Sequence, residues 1–239
     1  MAALAAHSFL GQAARPHYEA VSRLLAKRTD SVIEPLHETP LAQLPAVVAG
    51  PPALLFVCGL PYTRMRDAGT AIEPLAAPVP DGEDAAVYRA DLLVAGDARE
   101  TAPEQLKGAR VAYNGEDSLS GWVMPRHALR ALGIDPDGYV WVPTGSHHNS
   151  LRALLRGEVE AAPIDSTLLV LERRADPALR ELRTLARLGR LPSPPVALVG
   201  GAARLAESLR AALELGAIRR FDAVADADYA PVRAVDATR

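Results

Sequence analysis

Arg110-Val111-Ala112-Tyr113-Asn114-Gly115-Glu116-Asp117-Ser118-Leu119-Ser120-Gly121 is the stretch of this 239-residue chain that decides its fold. Arg110 to Tyr113 reads as a strand, Asn114-Gly115 is a turn dipeptide, and a helical pattern runs from Ser120 to Leu132. A strand that turns through small polar residues into a helix is the repeating unit of an α/β sheet. The start of such a helix carries unpaired backbone N–H groups and the positive end of the dipole. Hydroxyls beside it add donors, and together they suit an oxyanion.

Two further stretches share this character. Thr144-Gly145-Ser146-His147-His148-Asn149-Ser150 follows the strand pattern Tyr139 to Val142 and precedes a helix, Ser150 to Arg156. Gly59-Leu60-Pro61-Tyr62-Thr63 follows the buried-type strand Ala53 to Val57. Outward from these, strands are predicted at Ala2 to Ser8, Ser31 to Pro35, Glu158 to Ile164 and Val196 to Val199. Helices are predicted at Gln12 to Lys27, Ser166 to Arg173 and Ala203 to Leu215. The alternation argues for α/β architecture with a mainly parallel sheet. The Pro- and Gly-rich region 77–82, with the extended run Val87 to Gly96, reads as a crossing between lobes. Ser193-Pro194-Pro195 reads as the return. Lobe 1 is then residues 1–88 with 192–239 and lobe 2 is 89–191, with a hinge near 87–94 and 189–196 and a central cleft.

Composition narrows the function. Half the residues are apolar and the net charge is −3, so nothing favours nucleic acid, and the Arg residues are scattered along helical segments. The single Cys58 excludes an intramolecular disulfide and reads as a small buried hydrophobe. The first ten residues lack a basic n-region and nothing approaches a membrane-spanning run. The chain as written therefore reads as cytoplasmic, and as periplasmic or extracellular if a leader is missing. There is no phosphate-loop pattern and no Gly-x-Ser-x-Gly elbow. Adjacent His147 and His148 share no helix face and lack a third ligand, so no metal is expected. No catalytic residue and no cofactor are expected either.

The candidate ligand-binding residues are Tyr62, Ser118, Ser120, Gly121, Thr144, Ser146, His147 and Asp165. A Ser at a helix start normally caps its own helix. Two Ser with Gly121, where a ligand could approach the backbone, raise the binding reading. His147 adjoins a hydroxyl and glycine cluster. It can donate from either ring nitrogen and as imidazolium would add charge, making affinity fall as pH rises through its titration. His148 is read as structural. Asp165 reads equally as an N-cap and as a carboxylate at the cleft. Tyr62 stands at the carboxyl end of a strand, where open α/β sheets place ligands.

At these residues the chain resembles the substrate-binding proteins of phosphate, phosphite and phosphonate ABC transporters. The resemblance runs through Ser8-Phe9-Leu10, Cys58-Gly59-Leu60-Pro61-Tyr62, Leu106 to Ala112, Ser118-Leu119-Ser120-Gly121, Thr144-Gly145-Ser146-His147, Ser150 to Leu154 and Gly157 to Ala162 with Asp165. It rests on their order and spacing. It implies the two-lobed type 2 periplasmic-binding-protein fold, with an oxyanion held between lobes by the Ser118 to Gly121 turn, His147, Tyr62 and Asp165. Leu119 stands where phosphonate binders often carry Thr, and Ala90 where many carry Ser. The implied partners are a small anionic ligand and an ABC transporter permease, with the protein itself a monomer or weak dimer. The alternatives are a cytoplasmic enzyme on the same fold, similar to menaquinone-pathway dehydratases, with His147 or Asp165 as acid or base, or a cytosolic sensing module.

Overall fold

The computed structural model describes residues 3–29, 31–200, 203–214 and 220–238. Ala2 and Leu215, expected at a strand start and a helix end, lie outside them. Along the chain the first elements are β1 (Ala5–Ser8), α1 (Arg15–Thr29), β2 (His37–Glu38), α2 (Leu44–Val48), β3 (Ala53–Phe56), α3 (Gly59–Asp67) and β4 (Ile72–Pro78). Next come β5 (Val87–Ala95), β6 (Arg110–Tyr113), a π-helical turn (Leu119–Val123) that runs into α4 (Met124–Ala131), β7 (Val140–Pro143) and α5 (His147–Leu155). The rest are β8 (Ala161–Asp165), α6 (Ser166–Ala175), β9 (Leu182–Pro192), β10 (Val196–Val199), α7 (Ala203–Glu214), β11 (Phe221–Ala223) and α8 (Ala230–Asp236).

The chain divides into two units, Met1–Val87 with Pro192–Arg233 and Tyr88–Leu191 with Ala234–Arg239. Residues 234–239, expected in the first lobe, thus fall in the second unit. The side-chain bond between His127 of α4 and Thr238, 3.1 Å, ties them there.

The first unit holds a sheet of order β11-β4-β10-β3-β1-β2. β1 pairs parallel with β2 and β3, whereas β10 pairs antiparallel with β3 and β4. The expected mainly parallel sheet is therefore mixed, because β10 enters from the return crossing in the opposite direction. Every residue of β3 is buried, the pattern of a strand covered on both faces. Tyr18 of α1 packs on Phe56 at 4.4 Å between ring centroids. The strand expected at Ser31 to Pro35 is reduced to one bridge, Leu4 to Ile33. Val32 is 59 % exposed, so that segment has no apolar face to bury, and pairing passes to β2.

The second unit holds a sheet of order β7-β6-β8-β5-β9. β6 pairs parallel with β7 and β8, and β5 pairs antiparallel with β8. The carboxyl ends of β6, β7 and β8 therefore share one edge, and the π-helical turn, α5 and α6 start there. β8 is buried throughout and forms the centre of this unit's core with Leu93, Leu151, Leu154 and Leu169. Both tryptophans of the chain lie in one aromatic group beside β6 and β7. Trp122 stacks near Tyr113 at 4.5 Å and meets Trp141 edge-on at 5.2 Å, and the Arg126 guanidinium sits 4.4 Å above the Trp122 ring.

β9 carries Gly189 at φ +66° against the Met124 side chain, with a cavity of about 360 Å³ beside it. Met124 lines that cavity and has room to move, so Gly189→Ala is governed by the backbone. It should cost about 1–2 kcal/mol, read as a lower urea midpoint with an unchanged m-value. A neutral result would mean that β9 relaxes to negative φ.

Candidate functional site

Local chemistry explains the edge where β6, β7 and β8 end. Ser118 caps the π-helical turn, its Oγ accepting from the Gly121 N–H at 3.0 Å. Ser146 caps α5, its Oγ accepting from the Asn149 N–H at 3.0 Å. Asp165 ends β8 and caps α6, with Oδ1 accepting from the N–H groups of Thr167 and Leu168 at 2.8 and 3.1 Å. Each residue satisfies donors that a helix start would otherwise leave open. The hydroxyl protons of Ser118 and Ser146 are not consumed by these caps and can donate outward.

Thr144 binds the ends of two strands together. Its N–H and Oγ1 both reach the Tyr113 carbonyl, at 2.8 and 2.9 Å, and Oγ1 shares a 2.6 Å contact with the fully buried Ser150. The Asn149 side-chain amide donates to the Thr144 carbonyl at 2.8 Å.

Ser120 and His147, 27 positions apart, meet here: the Ser120 Oγ lies 3.0 Å from His147 Nε2. Ser120 is 2 % exposed and His147 is 9 % exposed. Burial pulls the imidazole down to about 4, because the charged ring would lose its hydration. His147 is therefore neutral at neutral pH, which corrects the expectation of an imidazolium. The orientation of Asp165 toward α6 supplies its capping role. His148 pairs instead with the buried Glu172, Nδ1 to carboxylate at 3.1 Å.

Gly121 is needed for a close approach. A Cβ there would fall on the Asn114 side-chain amide and come within 3.1 Å of Ser118 Oγ. Asn114, read from sequence only as a turn residue, thus belongs to this cluster. Its signal was the Asn-Gly dipeptide directly ahead of Ser118-Leu119-Ser120-Gly121.

Tyr62 lies in the first unit, in the first turn of α3. It is fully buried, its ring edge-on to Tyr229 at 4.9 Å. Its hydroxyl donates to Asp226 at 2.7 Å, and the Arg233 guanidinium holds the same oxygen at 2.9 Å. Burial, then the bond to Asp226, pushes the Tyr62 hydroxyl well up. Its donor is committed within its own unit. Asp226 and Arg233 lie more than 160 positions from Tyr62, and no spacing pattern announced them.

Among the described residues, no group of three or more His, Cys, Asp or Glu side chains could hold a metal ion. No helix among them is long and apolar enough to cross a membrane.

The family model for the periplasmic substrate-binding protein of phosphonate ABC transporters matches residues 11–228. No curated protein sequence matches the chain. Among solved structures, a binding-protein component of an ABC phosphonate transporter from Pseudomonas aeruginosa is 13 % identical at a TM-score of 0.79, over 98 % of this chain and 85 % of that one. PhnD1 from Prochlorococcus marinus in complex with methylphosphonate is 15 % identical at 0.74, over 99 % and 97 %. The aliphatic sulphonate binding protein SsuA from Escherichia coli is 20 % identical at 0.57, over 86 % and 63 %. These likenesses show the fold, that of the two-lobed periplasmic binding proteins, as the alternation of elements predicted.

Proposed function

We propose that this chain, which belongs to the family of periplasmic substrate-binding proteins of phosphonate ABC transporters, holds a phosphonate-type oxyanion at the shared carboxyl edge of β6, β7 and β8. The family is a substrate-binding component and not an enzyme. The observation that carries the site assignment is the buried Ser120–His147 pair, set between two Ser-capped helix starts. Backbone N–H groups and hydroxyls at such starts take an oxyanion without a nucleophile. Ser118, Ser120, Gly121, Thr144, Ser146 and His147 form the proposed contact group. Asp165 bounds it from β8, and Tyr62 is left to its bond with Asp226. The proposed setting is the periplasm, with delivery to a transporter permease and the protein acting as a monomer or weak dimer.

Calorimetry with methylphosphonate tests the assignment. Ser120→Ala should weaken binding about tenfold, the scale of one hydrogen bond to a charged group, while the unfolding free energy moves by about 1 kcal/mol or less. Unchanged affinity in Ser120→Ala would place the ligand elsewhere.

A further inference from the structure

Two buried polar side-chain atoms at this edge have no hydrogen-bond partner: Asn114 Oδ1 and His147 Nδ1. Asn114 directly follows β6, and its amide oxygen lies over the α-carbon of Gly121. His147 is the first residue of α5, and its other ring nitrogen is on Ser120. A buried polar group left unpaired is costly, so such atoms are retained where something else completes them.

The chemistry of the pair is specific. An amide oxygen only accepts. A neutral imidazole with one nitrogen on a hydroxyl offers the other as either donor or acceptor. No cationic group is part of the pair. A fully ionised dianion would bring two charges and no proton to a place that offers an acceptor and no formal positive charge. An oxyanion that keeps one hydroxyl brings both the proton the amide oxygen lacks and the single charge that helix starts favour.

Resting on the oxyanion reading above, we propose that the site selects its ligand by protonation: it takes the monoanion of a phosphonate, whose remaining P–OH donates to Asn114 Oδ1, and it rejects sulfonates, which have no proton to give. A sulfonate would set an oxygen against the amide oxygen, an unpaired acceptor facing another acceptor.

The charged groups on the surrounding elements are otherwise occupied. Arg110 of β6 pairs with Glu160, Arg152 of α5 with Asp176, and His148 of α5 with Glu172 of α6. Arg126 of α4 pairs with Asp137, and Asp165 of β8 caps α6. Glu116 and Asp117 lie exposed in the turn ahead of Ser118. Burial alone, and none of these charges, lowers His147, so between pH 5 and 9 the ring does not titrate and the ligand does.

Methylphosphonate and methanesulfonate share shape and methyl group and differ in the ionisable hydroxyl. Calorimetry from pH 5 to 9 on the unmodified protein should show methylphosphonate binding at pH 6 at least tenfold more tightly than methanesulfonate. Methylphosphonate affinity should then fall about tenfold per pH unit above the ligand's second ionisation, as the monoanion is depleted. With phosphite, whose second ionisation comes earlier, the fall should begin at correspondingly lower pH. Asn114→Ala should level the phosphonate and sulfonate affinities. Equal affinities in the parent, or a fall fixed at one pH for both phosphorus ligands, overturns selection by protonation while leaving the oxyanion reading standing. Binding of none of the three ligands at any pH overturns both.

Discussion

His147→Gln is expected to remove an acid sensitivity of about 3 kcal/mol between pH 6.5 and 4. The ring is buried, and burial lowers it from 6.5 to about 4. Across that window the unfolded chain takes up a proton that the folded state refuses. Stability is thus complete above pH 6.5 and is lost as pH falls toward 4. Glutamine can still reach Ser120 but does not titrate there. Urea unfolding at pH 7, 5.5 and 4.5 should show the parent losing stability more steeply than the variant. The lowered carboxylates Asp137, Glu158 and Glu160 are exposed or nearly so and act equally in both proteins, so the difference between the two curves belongs to His147. Parallel curves would mean that the folded ring accepts its proton freely, and the buried Ser120–His147 pair would not be as described.

Gly121→Ala is expected to cost about 1–3 kcal/mol of stability, the usual scale of overpacking, and to abolish methylphosphonate binding at millimolar ligand. The added Cβ takes the place of the Asn114 amide and crowds Ser118 Oγ, so both the cap and the acceptor move at once. Asn114 is only partly buried and can swing away. Adding Asn114→Ala to Gly121→Ala should therefore return most of the lost stability while binding stays impaired. A double-mutant cycle in urea gives the coupling. Additive losses would show that the turn, and not Asn114, absorbs the new methyl group.

Local chemistry was legible in the sequence, and distant chemistry was not. Arg110 to Tyr113 and Val196 to Val199 are strands as predicted, because each is a short run bounded by turn residues. Ser118, Ser146 and Asp165 sit at helix starts, because capping needs only neighbours within three positions. β9 was assigned no element. Its leucines 182, 185, 188 and 191 recur every three residues, whereas a half-buried strand repeats every two. Pairing at the sheet edge, with a positive-φ glycine to absorb the mismatch, makes it a strand nonetheless. The charge on His147 was misjudged for a related reason: proximity to Gly145 and Ser146 predicts a polar setting, but enclosure comes from residues far along the chain.

The aromatic group of the second unit has an optical consequence. With Trp122 and Trp141 5.2 Å apart, excitation passes between them faster than either emits, so the protein glows as one source. That source is quenched or shifted by whatever disturbs Trp122, which lies inside the π-helical turn one residue beyond Gly121. The first unit contributes only tyrosine light. Unlabelled protein in a fluorimeter is therefore already a reporter of the turn, and its emission colour reads events at Gly121 without interference from the other half of the chain.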